Sequence, residues 1–401
     1  MNIAMISYHT CPRASAEFKE NGGMEVYVLE LSRALAKMGH EVDIFTRSHE
    51  FNDPLVIQEA PNLRVVHIPA GPQEKVQKKK LVAYIPEFAE HLLRFIHDEG
   101  FRYDVVHAHY YMSGLVAKKV FAAEKKFSVK PADFVMSFHT LALMKNLVAR
   151  DTLERESQFR INAEFELMKR ADAIIAASET DKAYMEYLYG TTGGNIHVIY
   201  PGINTDVFHP IEKVVAREHI GASREHKIVL FVGRVEPLKG IDTLMYAIKI
   251  HKSKHPRETV CLWIVGGDMS SKAMRELESL RSTLGIVKES VHFVGRQPQT
   301  ELPYYYNAAD VVVMPSHYES FGMTALEAMG CGVPVITTNV AGVSAHVSHV
   351  ISVNNPLLLS DTIEHVLSEV HEKRAMNEFT WDVTAKKMLT VYSSRILKEG
   401  L

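Results

Sequence analysis

Two carboxylates, Glu319 and Glu327, stand with seven residues between them in the segment SHYESFGMTALEAMGCGVPV, which begins at Ser316. Such a pair invites reading as a general acid and its partner across a glycosidic bond. Their settings differ. Glu319 falls in the loop after the apolar run DVVVMPS, and Glu327 lies over one turn into a helix that begins near Gly322. The backbone N–H groups of Ser320, Phe321, Gly322, Met323 and Thr324 point out of that helix start and suit a phosphate. Carboxylates accept hydrogen bonds from vicinal hydroxyls, as acidic residues do for ribose in nucleotide-binding folds. The segment therefore reads as a cradle for a nucleotide sugar: phosphate on the helix start, ribose on one Glu, sugar on the other. Both acids would then stay ionised and transfer no proton. The structural alternative makes Glu319 a capping acid and Glu327 a solvated helix residue.

A second set of groups supports the cradle. In FVGRVEPLKGIDTLMYAI, Arg234 and Lys239 follow an apolar run and precede a helix. A planar guanidinium and an ammonium at a strand's carboxyl end can close on a diphosphate. The alternative is two exposed surface cations. Near the N-terminus, Gly22 and Gly23 precede a helical pattern, permitting close backbone approach to an anion or simply a tight turn. Neither site is a G-x-G-x-x-G dinucleotide loop or a Walker loop, which disfavours a nicotinamide enzyme and a P-loop nucleotidase.

The elements that must position these groups alternate. IAMISY, EVDIFT, LRVVHI, DVVHAH, DFVMSF, AIIAAS and IHVIY read as strands, with helical patterns at Val26 to Met38, Leu81 to Ile96, Leu153 to Lys169 and Thr180 to Tyr189. YPGINTDVFHP, from Tyr200, reads as a linker. The alternation then restarts with KIVLFVG, VCLWIVGG, SVHFVG, DVVVMPS, VPVITT and VISV, with helices at Ile241 to Lys252 and Ser271 to Leu284, and a final helix from about Trp381. Near-continuous Val/Ile runs suit parallel sheets covered on both faces. The expected fold is α/β, with two Rossmann-like, doubly wound domains facing a central cleft: residues 1–203 joined by 381–401, and residues 211–380.

A net charge of −3 gives no pull toward nucleic acid or a membrane surface, apart from one local basic run, KVQKKK. Three scattered cysteines form neither a disulfide frame nor a zinc site, and no metal-ligand cluster is spelled out. With no signal peptide and no membrane-length run, a cytoplasmic location is expected. Peripheral membrane contact and homo-oligomerisation stay open.

HYESFGMTALEAMGCGVPV closely resembles the E-x7-E segment of the retaining glycosyltransferases of family four, which have the two-domain GT-B fold. The resemblance spans nearly the whole chain, through ISYHT, NGGMEVYVLELSRALAKMGHEVDIFTR, DVVHAHYYMSG, FHTLALMKN, VIYPGINTDVFHP, VGRVEPLKG and FVGRQPQTELPYYYNAADVVVMPS. The last helix resembles the family's crossing helix, which returns to the N-terminal domain. Within the family, the look is that of enzymes with phosphorylated acceptors: inositol-phosphate N-acetylglucosaminyltransferases and bacterial sucrose-phosphate synthases. The resemblance implies that Gly23, Arg234 and Lys239 meet the donor diphosphate, helped by the backbone at Phe321 to Thr324. It gives Glu327 the ribose, Glu319 the transferred sugar and Arg296 the uracil. It implies acceptor contacts by His9, Gly22, Lys78, Tyr110, Thr140 and Arg160, and places His139 near the reacting carbon. After Val343 the chain departs from the family pattern, being short and without the usual glycines.

The resemblance thus implies a retaining hexosyltransferase. It would use a nucleoside-diphosphate sugar, UDP-glucose or UDP-N-acetylglucosamine, and a small phosphorylated acceptor such as fructose 6-phosphate or inositol phosphate. No cofactor is expected, and the absence of any Asp-x-Asp agrees with metal-independent transfer. The alternatives are a lipid or polysaccharide glycosyltransferase and a non-catalytic nucleotide-sugar-binding protein.

Overall fold

The computed structural model describes residues 1–13, 22–50, 52–74, 76–124, 132–191, 194–370 and 376–396. The chain divides into two compact units. One runs to Gly202 and takes up the chain again at Trp381; the other comprises Ile203–Thr380.

The first unit is built on an eight-stranded sheet. Its strands are β1 (Asn2–Ile6), β2 (Glu41–Arg47), β3 (Val56–Ala60), β4 (Leu63–Ile68), β5 (Val105–His109), β6 (Asp133–Ser137), β7 (Ala173–Ala176) and β8 (Ile196–Val198). Their order is β3-β4-β2-β1-β5-β6-β7-β8. All pairings are parallel except β3 with β4. The helices are α1 (Gly23–Lys37), α2 (Ile85–Glu99), α3 (Tyr110–Glu124), α4 (Ala142–Leu147), α5 (Gln158–Arg170) and α6 (Glu179–Tyr189). The central strands β1 and β5 are buried along almost their whole length, which is why they are apolar without alternation.

In the second unit, the strands are β9 (Lys227–Val232), β10 (Val260–Val265), β11 (Val291–Gly295), β12 (Val311–Met314), β13 (Val335–Thr338) and β14 (His349–Ile351). They form one parallel sheet in the order β11-β10-β9-β12-β13-β14. Helices α7 (Lys213–His219), α8 (Ile241–Lys254), α9 (Lys272–Thr283), α10 (Leu302–Ala308), α11 (Met323–Gly330) and α12 (Pro356–Ser368) accompany it. Val229, Phe231, Leu244, Ile248, Val313 and Ile363 lie at the centre of its core. The last helix, α13 (Trp381–Ile396), belongs to the first unit. There Trp381 meets Tyr27 edge-on at 5.4 Å, and the Tyr392 hydroxyl lies 2.7 Å from His107 Nδ1.

Every strand expected from the sequence is present. Several features differ from expectation; the helix expected from Leu153, for one, begins only at Gln158. The segment from Leu81 is a 3-10 turn, Lys78–Tyr84, before it becomes α2 at Ile85. The stretch after Tyr200 is not a loose linker. Ile203 and Phe208 are buried, and Ile203 bridges Thr380 within the second unit.

Candidate functional site

The residues singled out by the sequence fall into two groups, one in each unit. In both sheets several of them follow the carboxyl ends of the strands flanking the reversal of strand order, β1 and β5 in one and β9 and β12 in the other. The crevice at such a reversal is where doubly wound sheets take their ligands.

In the first unit, His9 follows β1, Tyr110 follows β5, and His139 and Thr140 follow β6. The rings of His9 and Tyr110 lie 4.7 Å apart. Lys78 Nζ sits 4.0 Å from the Tyr110 ring centroid and the Arg160 guanidinium 4.8 Å from it. Lys78 belongs to the Lys78–Tyr84 turn, which Tyr8 pins by donating its hydroxyl to the Leu81 carbonyl at 2.7 Å. Five of the predicted acceptor residues thus converge: Lys78, Arg160 and His9 on Tyr110, and Thr140 through Arg160.

Two of these positions are held in strained backbone. Tyr110 has φ 76° and His139 φ 60°, in the left-handed region that L-residues avoid. Such conformations cost on the order of 1–3 kcal/mol each and cluster at functional sites. At His139 the strain comes with a turn, in which Thr140 N–H donates to the Phe138 carbonyl at 2.7 Å. That turn reverses the chain directly after β6. The His139 ring meets Tyr27 edge-on at 5.0 Å, and its Nε2 lies 3.0 Å from His109 Nδ1. Burial pushes the His139 imidazolium down to about 3, so the ring is neutral at physiological pH.

Arg160 is more deeply committed than a surface phosphate ligand would be. It is 1 % exposed. Its Nε donates to Glu164 at 2.7 Å, Nη1 pairs with Glu156 at 2.9 Å, and Nη2 donates to the Thr140 carbonyl at 2.8 Å. Glu164 in turn accepts from the Ala142 N–H at 2.9 Å and from the Tyr189 hydroxyl. Arg160→Ala would strand the fully buried Glu164. We expect a loss of about 3–5 kcal/mol, seen as a lowered Tm before any change in substrate affinity can be measured.

Gly22 and Gly23 open α1, but a carboxylate is already there. Glu25 Oε2 accepts the Gly22 N–H at 2.9 Å and is buried, which raises its pKa. The sequence reading passed over Glu25, although a Glu three residues after the helix cap is the capping-box spacing. The start of α1 is therefore partly occupied by its own side chain.

In the second unit, β9 ends in Arg234, the turn Pro237–Lys239 and Gly240, while β12 runs into the Glu319 loop. The two loops are stitched together. His317 N–H donates to the Leu238 carbonyl at 2.8 Å, and a Cβ on Gly240 would lie 2.1 Å from the Pro315 carbonyl oxygen. Only glycine permits that approach, and Gly240 also has φ 64°. The result brings Lys239 Nζ into an ion pair with Glu319. Glu319 is thus no helix cap. The N-cap of α11 is Gly322, with φ 110° and no side-chain cap. In contrast to α1, the first N–H groups of α11 are left without a capping carboxylate. Thr324 ties the helix to β9 by donating its hydroxyl to the Val232 carbonyl at 3.2 Å.

Glu327 is no solvated helix residue either, being 8 % exposed. It accepts from the Tyr306 hydroxyl at 2.7 Å. Burial pushes its carboxyl up to about 7, against that hydrogen bond. Burial thus works against the ionised form expected of Glu327. Tyr306, in the run PYYYNAAD, carried no signal in the sequence beyond its apolar neighbours.

Arg234 is exposed and pairs with Glu236 at 2.8 Å. Arg296 is exposed after Gly295 at the end of β11, two strands from β9. The shortened segment after Val343 forms the turn Gly342–His346, and Val343 N–H donates to the Phe321 carbonyl at 2.8 Å, so it props the α11 loop. Among the described residues, no group of three or more His, Cys, Asp or Glu could hold a metal ion, and no helix is long and apolar enough to cross a membrane.

Comparison with known proteins agrees with this layout. Residues 21–207 match the model of Glycosyltransferase Family 4, and residues 214–380 match that of Glycosyl transferases group 1. The D-inositol 3-phosphate glycosyltransferase of Xylanimonas cellulosilytica is 35 % identical, over 98 % of this chain and 96 % of its own length. Among solved structures, the sucrose-phosphate synthase of Thermosynechococcus elongatus superposes with a TM-score of 0.87 at 30 % identity, covering 99 % of each chain. An Anabaena protein solved with UDP and glucose shares the fold, with a TM-score of 0.70 at 17 % identity over 99 % of each chain. Near-complete coverage in both directions, by relatives at 30 % identity or more and by the two family models in succession, establishes that the chain belongs to glycosyltransferase family 4 and is a GT-B enzyme using a nucleotide sugar.

Proposed function

We propose that the enzyme moves a hexosyl group, with retention, from UDP-glucose or UDP-N-acetylglucosamine to a small acceptor that carries a phosphate. One observation supports the acceptor class above the others: Lys78, Arg160 and His9 gather on the Tyr110 ring, with Thr140 held by Arg160. A lysine ammonium, a guanidinium and two hydroxyls suit a phosphomonoester. The names of two relatives, an inositol 3-phosphate enzyme at 35 % identity and a sucrose-phosphate synthase at 30 %, point the same way. Inositol phosphate and fructose 6-phosphate are the candidate acceptors.

In this reading Arg234, Lys239, the Gly23 backbone and the start of α11 take the diphosphate, with Ser320, Phe321, Gly322, Met323 and Thr324 supplying the loop. Glu327 takes the ribose, Glu319 the sugar hydroxyls and Arg296 the uracil. Gly22 and His9 border the acceptor, and His139 stands near the reacting carbon through its carbonyl or ring. The bond from C1 to the diphosphate oxygen breaks as a bond from C1 to the acceptor oxygen forms on the same face. The acceptor's proton passes to the departing diphosphate. The protein contributes charge stabilisation and positioning.

A membrane-bound acceptor finds less support. The apolar stripe of α2 is used up internally, because Ile85, Phe88, Ala89 and Leu92 are buried. The decisive experiment follows UDP release from UDP-glucose and UDP-N-acetylglucosamine against a panel of sugar and inositol phosphates. Acceptor-dependent release with none of them sinks the proposal. Within it, Lys78→Ala should raise the acceptor KM about tenfold or more, since it removes a charged contact. The side chain is exposed, so Tm and donor KM should barely move. Equal changes in both KM values would remove Lys78 from the acceptor side.

A further inference from the structure

His107 and His109 lie two apart on β5, on one face of the strand, with ring centroids 4.2 Å apart. His107 has both nitrogens engaged: Nδ1 with the Tyr392 hydroxyl at 2.7 Å and Nε2 with Ser137 Oγ at 2.8 Å. It has nothing left for His109. His109 is fully buried, and its Nδ1 lies 3.0 Å from His139 Nε2. Its own Nε2 is buried with no hydrogen-bond partner among the described residues. The two rings stack at 5.2 Å with 27° between their planes, and Tyr27 closes on both.

Of two neutral imidazoles sharing one contact, one must donate and the other accept. If His139 donated from Nε2, His109 would carry its proton on Nε2 and bury an N–H with no acceptor. If His109 donates from Nδ1, only a bare lone pair is left over. Orphaned buried N–H groups are the rarer of the two in folded proteins. We infer that His109 is a positioning residue that donates Nδ1–H to His139 Nε2 and thereby holds His139 as its Nδ1–H tautomer. The ring edge of His139 away from His109 then presents a hydrogen-bond donor. His139 meets substrate as a neutral donor to an oxygen, not as a base. This inference rests on the reading that places His139 beside the reacting carbon, but the tautomer itself does not.

Two measurements test it. Nitrogen-15 histidine spectra of the wild-type enzyme, with the His139 signals assigned by their loss in His139→Gln, should show a pyrrole-type Nδ1 and a pyridine-type Nε2. An Nε2–H form overturns the inference whatever the activities are. Second, Asn places its amide N–H near the position of His Nδ1, whereas Gln places it near Nε2. His109→Asn should therefore exceed His109→Gln in kcat by about tenfold or more, the usual scale for losing a partner that orients a functional histidine, with both KM values close together. Equal kcat in the two variants overturns the positioning role. If the tautomer is as inferred but His139→Ala keeps full kcat, the placement of His139 at the reacting centre fails and the tautomer stands.

Discussion

Lys239→Met is expected to lower kcat/KM for the nucleotide sugar by about 10³, the scale of losing one preorganised charge at a site where negative charge develops. The difficulty lies in attributing the loss. Lys239 Nζ is paired with Glu319, so removing it also leaves a carboxylate with 20 % side-chain exposure uncompensated. That alone should cost on the order of 1–2 kcal/mol, or a few degrees in Tm. The double variant Lys239→Met, Glu319→Gln separates the two effects. If the lysine only neutralises Glu319, the double variant recovers stability and matches the turnover of Glu319→Gln alone. If Lys239 binds the diphosphate, as we propose, Tm recovers and kcat/KM does not. The ion pair then serves as a placeholder: the ammonium trades one carboxylate for the diphosphate, and Glu319 is released to meet sugar hydroxyls. Recovery of kcat/KM in the double variant to the level of Glu319→Gln alone would remove Lys239 from the donor site.

Much of this arrangement was legible in the sequence because parallel sheets leave a plain mark. The Val/Ile runs that became β1, β5, β9 and β12 are buried on both faces, and their carboxyl ends lead into the chemistry. What escaped notice escaped for physical reasons. The segment that forms α3 begins YYMSGLVAKKV and carries no polar stripe, since Tyr110, Met112, Val116 and Ala117 are all buried. A helix apolar on every side gives no 3.6-residue period. β3 is an antiparallel edge strand, VIQEA, too short and too mixed to read as one. Of the site, residue types and loops were readable, but partners were not. The resemblance, not spacing, implied an acceptor contact for Arg160; the four-residue spacing to Glu156 and Glu164 hinted at ion pairs, but not that they would be buried and hold the guanidinium. The Glu25 cap on α1 is a local contact whose spacing was there to be read. By contrast, spacing could not show that His109 backs His139, because that contact joins β5 to the turn after β6, which only the fold brings together. The left-handed backbone at Tyr110 and His139 is invisible for the same reason. Tyrosine does not favour that conformation and histidine adopts it only as a minority, so the surrounding packing must impose it.

Glu327→Gln should stabilise the enzyme and impair it at once. Burial raises the Glu327 carboxyl from the usual carboxylate range to about 7. The folded state therefore binds this proton more tightly than the unfolded chain does. The stability that goes with it is fully present below about pH 4, where both states are protonated, and is lost as pH rises through 7. By pH 8 the buried carboxylate costs up to about 3 kcal/mol, at about 1.4 kcal/mol per pKa unit. Glutamine cannot ionise, yet it keeps an oxygen to accept from the Tyr306 hydroxyl. The variant should gain several degrees in Tm at pH 8 and almost nothing at pH 4.5, measured by thermal melts across that range. The opposite effect should appear on the donor. Ribose hydroxyls bond more strongly to a carboxylate than to an amide, so the donor KM should rise about tenfold at pH 8. A ligand that prefers the ionised form must also draw protons off Glu327 when it binds. Wild-type donor affinity should therefore weaken as pH falls below 7, whereas that of Glu327→Gln should stay flat. A buried acid kept only for packing predicts the gain in Tm alone. Gain and loss together mark a group that the fold carries at a cost to stability because the nucleotide needs it. A wild-type donor affinity that does not vary between pH 5.5 and 8 would remove the ribose from Glu327, leaving its burial next to Tyr306 a structural matter.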